Sequence, residues 1–140
     1  MRAHPRATGR TTFTLSAELP ATARARDALA RALAVQRWPP ERVSDVLLAG
    51  GEALANAVLH GSTPGVCVDV EFAVTRDRAW LRVADHGGAG TGVPTCPWQV
   101  PDAAATGGRG LLLMRALARR MQVRPVGEGT EVVLDFAAVG

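Results

Sequence analysis

The sequence predicts an α+β fold: a two-layer α/β sandwich with a mixed, mostly antiparallel sheet covered on one face by helices. Two observations point there. Short stretches alternate apolar and polar residues at the period of a half-buried strand, and they come in neighbouring pairs joined by tight turns. Between them lie Ala- and Leu-rich stretches with helical periodicity. Strands paired with their sequence neighbours leave the helices to gather on one side.

TTFTLSAEL (11–19) alternates Phe13, Leu15, Ala17 and Leu19 with polar residues, which predicts a strand that Pro20 ends. From Ala21 to Trp38 the chain is rich in Ala, Arg and Leu, with Leu29, Leu33 and Val35 on one helical stripe. WPPE (38–41) breaks that helix, and Pro40 suits the first turn of the next. The second helix is predicted from about Pro40 to His60. At about 100° per residue, Val43, Val46, Leu47, Leu54, Ala57 and Val58 cluster within about 120° as its core face. Gly61 stops it, and STPG (62–65) turns the chain. VCVDVEFAVT (66–75) points Val66, Val68, Val70 and Phe72 one way. After the turn RDR (76–78), AWLRVAD (79–85) sets Leu81 and Val83 against Trp80 and Arg82, completing a hairpin. From His86 to Thr106 the pattern dissolves into Gly, Pro, Thr and Ala, and a structureless stretch of that length suits a functional lid. RGLLLMRALARRM (109–121) resumes as helix, and QVRPV (122–126) and TEVVLDF (130–136) form a closing hairpin about GEG (127–129). Residues 1–10 read as a flexible basic tail, 11–140 as a single domain, and about 86–107 as its lid.

Composition narrows the class of function. Hydrophobic residues make up 47% of the 140, which argues for a core and against global disorder. No apolar run approaches the ~18 residues of a membrane span. MRAHPRATGR (1–10) leads into no apolar segment, so no secretory signal is expected and a cytoplasmic location is the default. Cys67 and Cys96 form no CxxC pair and have no zinc-like spacing with His60 and His86, so they read as two reduced thiols. The net charge of +3 is carried by arginine alone; Lys, Ile and Tyr are all missing. Those residue types share A/T-rich codons, so coding bias accounts for part of the arginine excess. No aromatics interleave the arginines as a single-stranded nucleic-acid surface requires, and no direct nucleic-acid contact is expected.

The same bias makes one residue stand out: Asn56 is the only asparagine in the chain. On a helix it points the same way as Glu52, nearly opposite the apolar arc. An amide oxygen is a neutral hard ligand suited to Mg²⁺, whose shell phosphates and water complete. A carboxylate one turn away is placed to accept a proton from an attacking hydroxyl. A solvated polar stripe is the alternative. VADHGGAG (83–90) ends a hydrophobic strand in Asp85, followed by glycines at 87, 88 and 90. Such a carboxylate accepts a hydrogen bond from an exocyclic amine such as adenine N6, and glycine lets backbone approach a flat ring. An ordinary Asp-Gly turn is the alternative. TGGRGLLLM (106–114) opens a helix with a glycine cluster, where free N–H groups and the helix dipole suit a polyphosphate and Arg109 adds a charge-assisted contact. It is neither a Walker A loop nor a dinucleotide fingerprint. A glycine hinge capped by Thr106 or Gly107 is the alternative.

These three motifs in this order, with a hairpin and a long lid between them, resemble the GHKL (Bergerat-fold) ATPase superfamily. Within it they are similar to the small bacterial branch of anti-sigma factors with serine-protein kinase activity (HATPase_c_2-like). EALANAVLHG (52–61) resembles the N box, DHGGAG (85–90) the G1 box, GGRGLLLM (107–114) the G2 box and GTEVVL (129–134) the closing strand; the likeness spans about residues 11–136. It implies ATP and Mg²⁺ as cofactors. By that likeness Asn56 would hold Mg²⁺ and Glu52 would be the general base. Asp85 would bind the adenine amine, directly and through a water shared with Thr130. Gly87 would pack under the ring, and Gly108, Arg109 and Gly110 would border the phosphates. His60 aligns with a frequent family histidine, although a helix cap suits it as well. The resemblance further implies a homodimer that phosphorylates a serine of a STAS-domain anti-anti-sigma protein and sequesters a sigma factor. A non-catalytic, partner-sequestering nucleotide-binding module is the alternative. The chain departs from the pattern at Ala89, where D-x-G-x-G has its last glycine. It departs again at Arg119 and Arg120, where the family often has an acidic residue. VPTCPWQVP (93–101) makes a stiff lid, in which Trp98 covers the nucleotide, meets a partner or simply packs.

Overall fold

The computed structural model describes residues 11–59, 67–86 and 106–139, with the backbone alone for 106–109. The elements follow in the order β1 (Thr11–Ser16), α1 (Leu19–Val35), α2 (Pro40–Leu59), β2 (Cys67–Val74), β3 (Arg78–Ala84), α3 (Thr106–Leu117), β4 (Arg120–Val126) and β5 (Gly129–Ala137). The five strands form one sheet in the order β1-β2-β3-β5-β4, and each described pairing is antiparallel. Leu15, Val68, Val70, Phe72, Leu81, Val83, Val132, Leu134 and Phe136 share one face of the sheet and are buried. Leu29 and Leu33 of α1, Val46 and Leu54 of α2, and Leu111 and Met114 of α3 join them in one core. The predicted two-layer α+β sandwich is the fold adopted. Strand alternation turns the remaining side chains to the opposite face, against which no described helix packs.

Boundaries moved where special residues act. Leu19 and Pro20 belong to the first turn of α1, not to β1, because that turn leaves its N–H groups unbonded and proline loses nothing there. The Thr22 hydroxyl donates to the Leu19 carbonyl at 2.7 Å and holds the turn. Helix α1 stops at Val35, short of Trp38, because Arg37 adopts a left-handed φ of 59°. The amides of Arg37 and Trp38 then turn back to the carbonyls of Ala34 and Leu33, at 3.0 and 3.1 Å. That reversal carries the Trp38 indole N–H to the Thr75 carbonyl, at 2.8 Å. Helix α3 starts at Thr106, before Arg109, and ends at Leu117, so Arg120 and Met121 open β4. Sheet pairing of Val126 with Gly129 leaves Gly127 and Glu128 as a two-residue turn, with φ of 62° at Gly127 where glycine is favoured.

A glycine in the middle of α2 sets its position. A Cβ on Gly50 would lie 3.1 Å from Leu81 Cδ2, so the missing side chain lets α2 settle on β3. No helix among the described residues is long and apolar enough to cross a membrane. The predicted tail (1–10), His60, and most of the predicted lid, including Gly87, Ala89, Cys96 and Trp98, lie outside the described residues.

Candidate functional site

Two groups of the residues singled out by sequence come together. The first lies between α2 and α3. Asn56 is buried, with 7% of its surface exposed, and Glu52 is half-buried. Gly110 of α3 stands against both: a Cβ there would lie 2.5 Å from Glu52 Oε1 and 3.3 Å from Asn56 Nδ2. The expectation that these side chains project from an uncovered helix face therefore needs correction. Helical periodicity locates the sheet-facing arc of α2 but is blind to a third element, and α3 packs along this side. The contact is still polar rather than hydrocarbon, because α3 presents a glycine at the closest point. Gly110 is four residues into α3, so the first-turn N–H groups lie about 6 Å away along the helix axis. Gly108 is in that first turn; the side chain of Arg109 lies outside the described atoms.

The second group sits where β3 and β5 end side by side. Asp85 is 3% exposed, and strand parity places it with Val83 on the helix-covered face. Its amide donates to the Thr130 carbonyl at 3.0 Å, and the Thr130 amide donates to Asp85 Oδ1 at 3.2 Å. The resemblance linked Asp85 and Thr130 only through a shared water; the contact seen here is made by their backbone amides. Sequence reasoning missed the part played by Gly129. A Cβ on this residue would overlap the Asp85 carbonyl oxygen and come within 2.8 Å of His86 Cα. The available signal was the Gly-Thr pair at the head of the closing strand.

A family model described as a histidine kinase-like ATPase domain matches residues 15–136. The chain belongs to the histidine kinase-like ATPase family. That match runs from β1 to β5 and takes in every element that carries a residue of the two groups above. The crystal structure of the RsbU and RsbW domains of Rv1364c from Mycobacterium tuberculosis has the same fold. It superposes with a TM-score of 0.68 at 22% identity, covering 92% of this chain and 32% of that one. No curated protein matches the sequence.

Of the four residues weighed for zinc in this histidine kinase-like ATPase domain, Cys67 and His86 are among the described residues and His60 and Cys96 are not. No group of three His, Cys, Asp or Glu side chains among the described residues could hold a metal. Cys67 is exposed, and His86 Nε2 lies 3.0 Å from Asp69 Oδ2. Glu131, next to Thr130, was read only as part of a strand. Alternation turns it to the outer face, where it accepts hydrogen bonds from Arg82 Nε at 2.5 Å and Arg124 Nε at 2.8 Å. Burial by itself pushes its carboxyl up, but the hydrogen bonds and charges of Arg124 and Arg82 outweigh that and hold it below the usual carboxylate range. A lowered folded-state value stabilises the fold above the unfolded-state value of about 4.3, and that contribution is lost as pH falls through the folded-state value. Glu131→Gln is therefore expected to be about 1–2 kcal/mol less stable than wild type at pH 7, with the gap closing below pH about 4. Urea unfolding at both pH values checks this; a gap independent of pH contradicts it.

Proposed function

We propose that this domain binds ATP with Mg²⁺ and transfers the γ-phosphate to a serine of a STAS-domain anti-anti-sigma protein, acting as a cytoplasmic homodimer that sequesters a sigma factor. The observation that carries the reading is Gly110 seated on Glu52 and Asn56. It brings a carboxylate, the Asn56 side-chain amide and a helix N-terminus within about one helical turn.

The donor set fits magnesium. Asn56 and Glu52 both stand against Gly110; a side-chain amide and a carboxylate are oxygen donors of the kind Mg²⁺ takes, one or two from the protein with phosphate and water completing its shell. When bound, it would neutralise charge on the β- and γ-phosphates. Asp85, fixed by Thr130, accepts a hydrogen bond from the adenine amine, with Gly87 beneath the ring. Gly108, Arg109 and the first-turn amides of α3 receive the phosphates. Glu52 takes the proton of the attacking serine hydroxyl; the serine oxygen bonds to the γ-phosphorus, and ADP leaves with the electrons of the broken bond.

The test is incubation of the purified chain with ATP, Mg²⁺ and a STAS-domain partner, followed by mass spectrometry. Phosphoserine on the partner is the expected product. Saturable ATP binding without phosphoserine selects the non-catalytic sequestering module instead.

A further inference from the structure

The residue after Asp85 makes a contact that the nucleotide chemistry does not use. Strand β3 leaves the sheet in steps. Its register with β2 ends where Ala84 faces Asp69, and its register with β5 ends where Ala84 faces Glu131. One residue further on, the Asp85 amide still reaches the Thr130 carbonyl of β5, at 3.0 Å. His86 then turns to the opposite neighbour. Its Nε2 donates to Asp69 Oδ2 of β2 at 3.0 Å, because an ionised carboxylate can only accept.

Asp69 is placed for this by the strands behind it. Alternation buries Val68 and Val70 and turns Asp69 to the outer face, level with Thr14 of β1. The Thr14 hydroxyl donates to Asp69 Oδ1 at 3.4 Å, so each carboxylate oxygen meets a donor. The same alternation sends Asp85 and His86, adjacent in the chain, to opposite faces. Asp85 is 3% exposed, whereas the side chains of His86 and Asp69 are 52% and 37% exposed. Gly129 closes the β5 side: a Cβ there would lie 2.7 Å from the Asp85 carbonyl carbon and 2.8 Å from His86 Cα, so the peptide joining the two rests on bare backbone.

We propose that His86 and Asp69 are positioning residues for base specificity. Their contact on the outer face clasps the end of β3 to β2 and so holds the Asp85 carboxylate, on the inner face, where it distinguishes an amine from a carbonyl oxygen. The inference rests on the reading of Asp85 as acceptor of the adenine amine and adds what fixes that acceptor. A carboxylate discriminates only when it is held at hydrogen-bonding distance and angle. Thr130 fixes Asp85 from the β5 side alone, which leaves the β3 end free to swing about that side. The clasp to β2 opposes the swing. Both of its side chains are half-exposed, so it is worth a factor of up to about five, not hundreds.

The test compares ATP with inosine triphosphate, in which a carbonyl oxygen stands where adenine has its amine. Calorimetric titration of the full chain with each nucleotide and Mg²⁺ reads the two affinities. Wild type is expected to prefer ATP by at least about tenfold. His86→Leu and Asp69→Ala should each lower that preference by about three- to fivefold, through weaker ATP binding with inosine triphosphate binding unchanged. The double variant should match either single one, because the same contact is lost in all three. His86→Gln, whose amide nitrogen takes the place of Nε2, should keep the preference within about twofold of wild type. A purely structural role would weaken both nucleotides alike and leave their ratio as it was. An unchanged ratio, or losses that add in the double variant, overturns the proposal and leaves the nucleotide reading standing. A wild type that binds neither nucleotide, or both alike, overturns the reading of Asp85 and this inference with it. If circular dichroism shows His86→Leu unfolded, Asp69→Ala decides: a lowered ratio supports the proposal and an unchanged one refutes it.

Discussion

Glu52→Ala is expected to bind ATP within about threefold of wild type while losing about 10²–10⁴-fold in serine phosphorylation. The two effects separate because the groups are separate. Glu52 meets Gly110 at the α2–α3 contact, whereas adenine recognition is assigned to Asp85 and Thr130 at the ends of β3 and β5. Removing the carboxylate takes away the proton acceptor and leaves the base site intact. Asn56→Ala should behave differently, losing the Mg²⁺-dependent part of binding. Calorimetric titration with ATP and Mg²⁺, paired with single-turnover transfer to the STAS partner, reads both quantities. Transfer at the wild-type rate by Glu52→Ala would remove Glu52 from the chemistry.

The largest stability effect should come from Gly129→Ala. The added Cβ would sit 2.7 Å from the Asp85 carbonyl carbon and 2.8 Å from His86 Cα. Both are backbone atoms, so no flexible side chain can give way. The strands must separate where Asp85 and Thr130 exchange two hydrogen bonds, at 3.0 and 3.2 Å. Overpacking costs about 1–3 kcal/mol and each lost bond about 1 kcal/mol, so a loss of roughly 3–5 kcal/mol is expected, or about 10–20 °C in melting temperature. Gly127→Ala is the control. It has positive φ but nothing within 4 Å of a new Cβ, so only the backbone conformation resists, at about 1 kcal/mol. Thermal melts of both variants followed by circular dichroism should differ by at least several degrees. Equal melting temperatures would mean that β3 and β5 yield more easily than their geometry indicates.

Local pattern made the fold legible, and local pattern has a definite reach. Alternation placed Val68, Val70, Phe72, Leu81 and Val83 on one face of a hairpin, and these residues are buried. Helical periodicity placed Val46, Leu54 and Ala57 in the core, where they are. It erred at Leu19, which a strand pattern claimed and a helix start took, and at Arg37, whose left-handed φ no glycine announced. The site shows the same division. Glu52 and Asn56 share a helix face because spacing alone fixes it. The burial of Asn56 under α3 was not legible, because the approach of two helices distant in sequence depends on tertiary packing. The partners of Glu131, Arg82 and Arg124, were hidden for a related reason: β5 lies between β3 and β4, an order that sequence neighbours do not reveal.

The most direct test of the account is the melting temperature of the wild-type chain with ATP, in the presence and absence of Mg²⁺. Specific binding must stabilise the folded state by mass action, by about 2.7 kcal/mol at a ligand concentration 100 times the Kd. The account predicts a rise of several degrees with Mg²⁺ and ATP together, a smaller one with ATP and EDTA, and loss of the Mg²⁺-dependent part in Asn56→Ala. A melting temperature that ATP leaves unchanged, with or without the metal, would contradict it.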